Sequence, residues 1–346
     1  MLSPGPATLL VSAVVVNWNG VDCIGACLDS LLAQTWPALE IVVVDNGSTD
    51  GSRALLRDRY GPRIMLIASP INLGFAAGNN LGIRAAKGVY VALLNNDAVA
   101  RPGWIAALVA AAEADARVGM CASKVLVLGA DGVIDSAGLL LSADGIGRGR
   151  GRLEPDGEAY AHAEEALIPS ACAALYRRAM LDEIGLFDED FFAYCEDSDL
   201  GLRGRLAGWT CRYVPDAVVH HAYSRSTAPY SEFKAFHVER NRCWVVLKCF
   251  PATAILTSLP YTLARYAVQA WGAATRRGAA ARFAERTSPA GVGALLLRAW
   301  VAALARAPVM LARRWRQRAL RRMTLRDWRR TVGRHRLGVR ELALKD

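Results

Sequence analysis

The chain has 346 residues, 53% of them hydrophobic and 21% charged, with a formal net charge of +10; this excludes a disordered chain and leaves room for one large domain with an appendage or for two smaller ones. The charge is uneven: residues 1–233 carry 18 Lys and Arg against 27 Asp and Glu, whereas 234–346 carry 24 against 5, so an acidic body precedes a strongly basic tail. The eight cysteines are scattered without a C-x-x-C and no cationic segment precedes the first apolar stretch, which argues against a zinc site, a disulfide framework and a secretory signal and for a reducing compartment.

Leu9–Val16 is apolar and β-branched and stops at Asn17-Trp18-Asn19-Gly20; Cys23–Gln34 then carries apolar residues at 24, 27, 28, 31 and 32, the spacing of a helix. A second buried strand, Glu40–Val44, ends in Asp45-Asn46-Gly47-Ser48, and a helix is expected over Asp50–Tyr60. Ile64–Ala68, Asn79–Lys87 and Tyr90–Leu94 repeat the strand–helix–strand pattern. This alternation predicts right-handed βαβ units and a mostly parallel sheet covered on both faces. Ser136–Gly151 is glycine-rich and hairpin-like, Ile168–Arg177 reads as a strand, and Arg178–Ile184 as a short helix closed by Gly185. After about Ser231 the composition turns to Ala, Leu, Arg and Trp, which divides the chain into an α/β body, 1–233, and a helical region, 234–346.

Ligands bind such sheets beyond the carboxyl ends of the strands, which singles out Asn17, Asp45, Asn46 and Asn95-Asn96-Asp97. Asp45 can accept a hydrogen bond from a nucleobase imide or a ribose hydroxyl, or simply cap the next helix. Asn72–Asn80 places Gly74, Gly78 and Asn79 before a helix, either for close approach to a phosphate or sugar or as a tight loop; it does not follow the first strand and so is no dinucleotide fingerprint. Asp97 ends an apolar strand and can hold a hard divalent cation together with substrate phosphates, although Asn-Asn-Asp is also good turn chemistry. Phe187–Arg203 contains six acids within twelve residues among aromatics, costly to bury unless paired or used. Glu196 or Asp197 is expected to start a helix ending at Gly208, with Asp199 and Arg203 as an i,i+4 pair. Tyr213–Val219 is strand-like and leads into His220-His221, where one imidazole can complete the cation site or serve only structurally.

Taken in order, VVVNWNG (14–20), VVVDNGSTDGS (42–52), NLGFAAGNN (72–80), LLNND (93–97), FDEDFFAYCEDSDLGLR (187–203) and VVHHAYSRST (218–227) resemble the family-2 inverting glycosyltransferases, in particular rhamnosyltransferase-like members that build bacterial cell-surface polysaccharides. The resemblance implies a glycosyltransferase-A fold, a Rossmann-like α/β/α sandwich. It implies transfer of one sugar, with inversion, from a nucleotide-diphosphate sugar to a hydroxyl of a lipid-linked or polysaccharide acceptor, assisted by manganese or magnesium. On it, Asp45 falls on the base-contacting residue and Asn95-Asn96-Asp97 on the metal-binding Asp-x-Asp element, with Asn95 in place of the first carboxylate. Glu196-Asp197 falls on the catalytic Glu-Asp pair, Asp197 being the general base, and His220 on the late metal-binding His. Asn17, Asn46, Gly74, Asn79, Asn95 and Asn96 are the further expected donor contacts. The Gln-x-x-Arg-Trp motif of processive synthases is absent, which favours single-sugar transfer. A nucleotidyltransferase and an inactive membrane-tethered scaffold are the rival readings.

In the tail, Cys249–Ala264 has 16 uncharged residues but two prolines, and Arg298 interrupts Thr287–Ala305; neither matches the roughly 20 apolar residues of a spanning helix. Amphipathic helices lying peripherally on the cytoplasmic membrane face account for the Trp, Leu and Arg content. A re-entrant or spanning segment near 249–271, a homodimer interface and packing on the body are the alternatives. Arg313-Arg314-Trp315-Arg316 would also suit nucleic-acid phosphates, but a nucleic-acid partner is not expected.

Overall fold

The computed structural model describes residues 9–130, 132–222 and 231–345. The first half winds as β1 (Val11–Asn17), α1 (Ile24–Leu32), β2 (Leu39–Asn46), α2 (Ser52–Leu55), β3 (Met65–Ser69), α3 (Gly74–Ala85) and β4 (Tyr90–Leu94). The four strands run parallel in the order β4-β1-β2-β3. β1 shows why both faces need cover: Val11, Ala13 and Val15 enter one core with α1, while Val14 enters the other with Ala76 and Ile83 of α3. The helix expected over Asp50–Tyr60 is instead one α-turn, α2, followed by a widened π-type turn at Leu56–Tyr60. α3 starts five residues before its expected start, because the stretch read as a loop, Gly74–Gly78, already forms its first turns.

The second half adds β5 (Ala98–Ala100), α4 (Trp104–Glu113), β6 (Val118–Val127), β7 (Ile134–Ser136), β8 (Leu139–Ser142), β9 (Gly147–Gly149), β10 (Glu164–Ala166), β11 (Ala173–Arg177), α5 (Arg178–Ile184), α6 (Glu196–Leu206) and β12 (Thr210–His221). The main sheet has ten strands, eight of them in the order β10-β12-β6-β11-β4-β1-β2-β3, with β5 paired to β12 and β7 to β6. β11 is antiparallel to both β4 and β6, so the sheet is mostly parallel on one side and mixed on the other. Together with the flanking helices this is the α/β/α sandwich expected. The glycine-rich stretch forms the hairpin β8–β9.

Residues beyond 231 form α7 (Glu232–Cys249), α8 (Ala252–Ala274), α9 (Gly278–Ala284), α10 (Pro289–Ala305), α11 (Ala307–Arg316), α12 (Leu325–Arg334), β13 (Arg336–Leu337) and α13 (Val339–Leu344). A third core joins them to the body: Trp244 and Val245 of α7, Ala303 of α10, Met310 of α11 and Trp328 of α12 pack with Leu141 of β8 and Leu202 of α6. β13 pairs in parallel with β8, making a second, three-stranded sheet from both parts of the chain. Among the described residues no single helix is long and apolar enough to cross a membrane. The stretch near 249–271 falls in α8, which carries Pro260 internally and a buried Arg265. The bent pair Gly278–Ala284 and Pro289–Ala305, meeting at 109°, passes together by length and composition, so the candidate segment lies later than expected.

Candidate active site

A cleft of about 950 Å3 opens over the carboxyl ends of the strands. Strand register sets Asn17 level with Asp45 across β1 and β2 just behind the cleft, and neither of the two lines the opening itself. The fully buried Asn17 accepts from Asn96 Nδ2 at 2.9 Å and donates to Ser48 Oγ at 3.2 Å, so it holds two loops together. Asp45 is also fully buried; Oδ2 takes Arg53 Nε at 2.8 Å, and Oδ1 has no partner. An acceptor left this way is unfavourable unless a ligand donor reaches it. Asn46 donates to Asn72 Oδ1 at 3.0 Å and to the Gly74 carbonyl at 3.1 Å, fixing the entrance of α3.

Gly74 sits at φ +82°, and a Cβ there would lie 2.6 Å from the Phe192 carbonyl oxygen, so only glycine allows the two loops to touch. Asn46, Gly74, Asn95, Asn96 and Asp97 all line the cleft. Asn79 does not: it lies inside α3 and donates back to the Phe75 carbonyl at 2.9 Å, the usual outcome for an amide placed mid-helix. Its neighbour Asn80 is the useful one. It donates to the Phe187 carbonyl and to Glu189 Oε1, at 2.9 and 2.8 Å, and accepts from Phe187 N at 3.0 Å, tying α3 to the acidic segment.

The histidine expectation moves by one residue. β5 and β12 pair so that His221 is level with Ala98, which brings its Nε2 to 3.2 Å from Asp97 Oδ1 and its Nδ1 to 2.8 Å from Asp135 Oδ2. Successive side chains on a strand point to opposite faces, so His220 is turned away and His221, not His220, lines the cleft. The rest of that motif, 223–227, lies outside the described residues. Burial opposes charge on His221, yet Cys172, Asp135 and Asp97 outweigh it and hold the imidazole well above its ordinary value. The charged imidazole donates from both nitrogens, to Asp135 and to Asp97; a cation on Asp97 would displace the Nε2 proton and leave Nδ1–H on Asp135, the arrangement of a carboxylate–histidine metal ligand. Among the described residues no three His, Cys, Asp or Glu converge on one metal position. Asp97 and His221 therefore suit a divalent ion whose other ligands are water and substrate phosphate.

The acidic segment forms a further wall. Phe192, Tyr194 and Cys195 all have φ between 64° and 70°, an accumulation of left-handed non-glycine residues that needs outside support. Asn241 of α7 supplies it, donating to the carbonyls of Phe191, Ala193 and Tyr194 at 2.9, 2.9 and 2.7 Å. α6 then begins at Glu196, as expected. Glu196 and Asp197 line the cleft, and Glu196 Oε2 is buried without a partner. Burial, then the charge of Asp197, push the Glu196 carboxyl well above the ordinary range. Burial also raises Asp197, against hydrogen bonds from Ser198, whose N–H lies 2.7 Å from Oδ1, and from the Ala171 backbone. Asp199 differs: burial is outweighed by Lys248 Nζ at 2.7 Å and Arg203 Nε at 2.9 Å, which hold its carboxyl low. Lys248 also binds Asp188, and Asp188 binds Arg313 of α11. The acids of this segment thus divide into paired and unpaired groups.

Fold and site define a class. The profile of glycosyl transferase family 2 matches residues 12–185, about half of the chain, and the chain belongs to that family. It is 33% identical over 255 residues to N-acetylglucosaminyl-diphospho-decaprenol L-rhamnosyltransferase of Mycobacterium tuberculosis, covering 66% of this chain and 82% of that protein. It is 32% identical over 234 residues to the O-antigen biosynthesis protein RfbC of Myxococcus xanthus, covering 64% of this chain but 18% of the other. Among solved structures, the mannosyltransferase PcManGT of Pyrobaculum calidifontis superposes with a TM-score of 0.52 at 21% identity, covering 92% of this chain and 88% of that one. The fold is therefore of the glycosyltransferase-A type, and the chain is a family-2 glycosyltransferase. The family profile ends before the Glu196-Asp197 pair and the C-terminal helices.

Proposed function

We propose that this chain transfers a single sugar, rhamnose by its similarity to the mycobacterial enzyme, from a nucleotide diphosphate to a hydroxyl of a lipid-linked glycan such as an N-acetylglucosaminyl diphosphate lipid, with inversion. The observation that carries the reading is the acidic pair Glu196-Asp197, with Glu196 Oε2 unpartnered and Asp197 held by Ser198, sharing one cleft with Asp97 and His221. Inverting transfer needs a carboxylate to take the acceptor hydroxyl's proton as that oxygen attacks the anomeric carbon. Asp197 has that role, its carboxyl raised by burial. Asp45 Oδ1 is the acceptor for the nucleotide base, and Asn17, Asn46, Gly74, Asn95 and Asn96 shape the donor pocket. Asp97 and His221 hold a divalent cation, manganese or magnesium, which would supply positive charge for the departing diphosphate. Residues 1–233 bind the donor and 234–346 serve the acceptor side. The test is product analysis: nucleoside diphosphate released only when acceptor is present supports the reading, and pyrophosphate release would point to nucleotidyl transfer instead.

The acceptor reading calls for a membrane surface, and the tail supports one. Leu256, Leu259 and Leu263 of α8 and Leu297, Val301 and Leu304 of α10 are exposed, Leu256 by 78% and Leu297 by 66%, in a region with 24 Lys and Arg against 5 acids. Apolar side chains among cations fit an anionic bilayer, here the cytoplasmic face, with the helices lying on it. Sedimentation of the full chain with phosphatidylglycerol vesicles tests this. Loss of binding in a Leu259→Ser, Leu263→Ser, Val301→Ser variant is expected; equal binding by that variant sinks the idea.

A further inference from the structure

We propose that the helical side of the cleft is a bay for the hydrocarbon chain of a diphosphate-linked acceptor. The inference rests on the glycosyl-transfer reading above and names where its acceptor lies. The cavity containing Asp97, Glu196 and Asp197 does not stop at the strand ends: the same space of about 950 Å3 runs on between α7, α8, α9 and α10, where Ala273, Ala280, Phe283, Val292, Leu295 and Leu296 form its walls. These six are apolar, and Glu239, Arg265, Tyr266 and Gln269 border them. A nucleotide sugar and a sugar hydroxyl need no such lining, and apolar wall left in water is unfavourable until an apolar ligand covers it.

Two further features suit an isoprenoid or comparable chain carrying a diphosphate. α9 and α10 meet at 109°, and α10 carries two sets of apolar side chains: Val292, Leu295 and Leu296 line the cleft, while Leu297, Val301 and Leu304 stay exposed outside it. A chain leaving the bay therefore meets an apolar exterior. Arg148, Lys234 and Arg152, the last paired with Asp135, line the same cavity and would bring positive charge to the diphosphate that joins hydrocarbon to sugar. The bay is also preformed. Arg265 of α8 binds Asp144 Oδ2 at 2.7 Å and Glu239 Oε2 of α7 at 3.0 Å, and Trp300 Nε1 of α10 donates to Tyr266 OH at 2.9 Å. These contacts hold α7, α8 and α10 to one another, which lowers the ordering cost of binding.

Farnesyl diphosphate and inorganic diphosphate, added separately to the full chain, provide the probes. Thermal stabilisation by farnesyl diphosphate at concentrations at least about tenfold below those needed for inorganic diphosphate is expected, since burying even a few methylene groups exceeds a factor of ten. Ala280→Trp, or Ala273→Trp should the first fail to fold, is expected to remove that difference while the donor nucleotide still stabilises the protein. Equal potency of the two probes on the unmodified chain overturns the bay, as does an unchanged preference in a folded tryptophan variant. Preference for the farnesyl probe, with no sugar transferred to a farnesyl-diphosphate-linked N-acetylglucosamine, keeps the bay and counts against the proposed reaction.

Discussion

The two sides of the cleft treat their buried acids differently. On the strand side, Asp45 Oδ1 and Glu196 Oε2 are left without partners. On the helical side, Glu239 is bound by Arg242, Arg265 and Tyr266, and Asp144 by Arg265, Thr262 and Ser142. An unmade hydrogen bond at a buried polar group costs about 1–3 kcal/mol, so the unpartnered acids mark where a ligand is to arrive. The saturated ones set the distance between helices. The contrast separates groups assigned to chemistry from groups assigned to shape even within one helix, where Glu196 is raised and Asp199 is lowered.

The sharpest test of that division is Asp197→Asn. Turnover is expected to fall by about two to four orders of magnitude, the usual contribution of a general base, with donor affinity and unfolding midpoint nearly unchanged. Wild-type turnover in a folded variant would hand the base role to Glu196. Next in size, Glu239→Gln should act on the opposite property. Leaving buried Arg242 and Arg265 with Asp144 as their one remaining carboxylate should cost up to about 3–5 kcal/mol in urea unfolding. If the variant is as stable as the parent, the network is not what holds α7 to α8.

Smaller effects are expected at the cation site. Asp135→Asn, which disturbs the hydrogen bond orienting His221, should weaken manganese-dependent donor binding by about 10–100-fold. His221→Ala and Asp97→Ala should weaken it at least as much, and His220→Ala should leave it alone. Equal losses from both histidines in a calorimetric titration would cancel the one-residue reassignment.

The smallest effect concerns pH. Glu239 is lowered from 4.5 to about 2, because Arg265 and Arg242 outweigh the burial that alone would raise it. Its stabilisation is complete above the ordinary carboxylate range and is lost as pH falls toward about 2. Glu196 has the opposite sign: its raised carboxyl costs stability progressively as pH climbs past the ordinary range. Glu196→Gln should therefore stabilise the protein at neutral pH by roughly 1 kcal/mol, as removal of a strained functional group often does. A thermal melt showing no gain, or a gain only in acid, would contradict the unpaired state of Glu196.

Much of this was legible because strand ends are periodic punctuation. Asn17, Asp45 and Asp97 each follow an apolar run, and the helix starting at Glu196 is announced by Leu200, Leu202 and Leu206. What failed did so for local geometric reasons. Two adjacent histidines cannot be told apart without knowing which face of β12 is inward, and a one-residue slip reverses it. Asn79 and Asn80 look alike until Gly74 starts the helix early and rotates them to different sides. Asp135 and Asn241, 38 positions after Asp97 and 44 after Asp197, have no local pattern at all. Part of the tail's excess of cations is internal, since Arg265, Arg242, Lys248 and Arg313 are paired with acids of the body or of neighbouring helices.

The pairing of β13 with β8 bears on how the protein is made. Arg336 and Leu337 meet Leu141 and Ser142, and Arg148 reaches the Glu341 carbonyl across 193 positions at 2.7 Å. A ribosome adding about 5–20 residues each second separates the emergence of such partners by roughly 10–40 s. Throughout that interval the edge of β8 waits for its neighbour, with the backbone groups of Leu141 and Ser142 open to any other strand in reach. The β8–β13 pairing is a seam stitched late, and a translation pause or a holding chaperone acting between those two moments would bear on whether the C-terminal helices join the body or mispair.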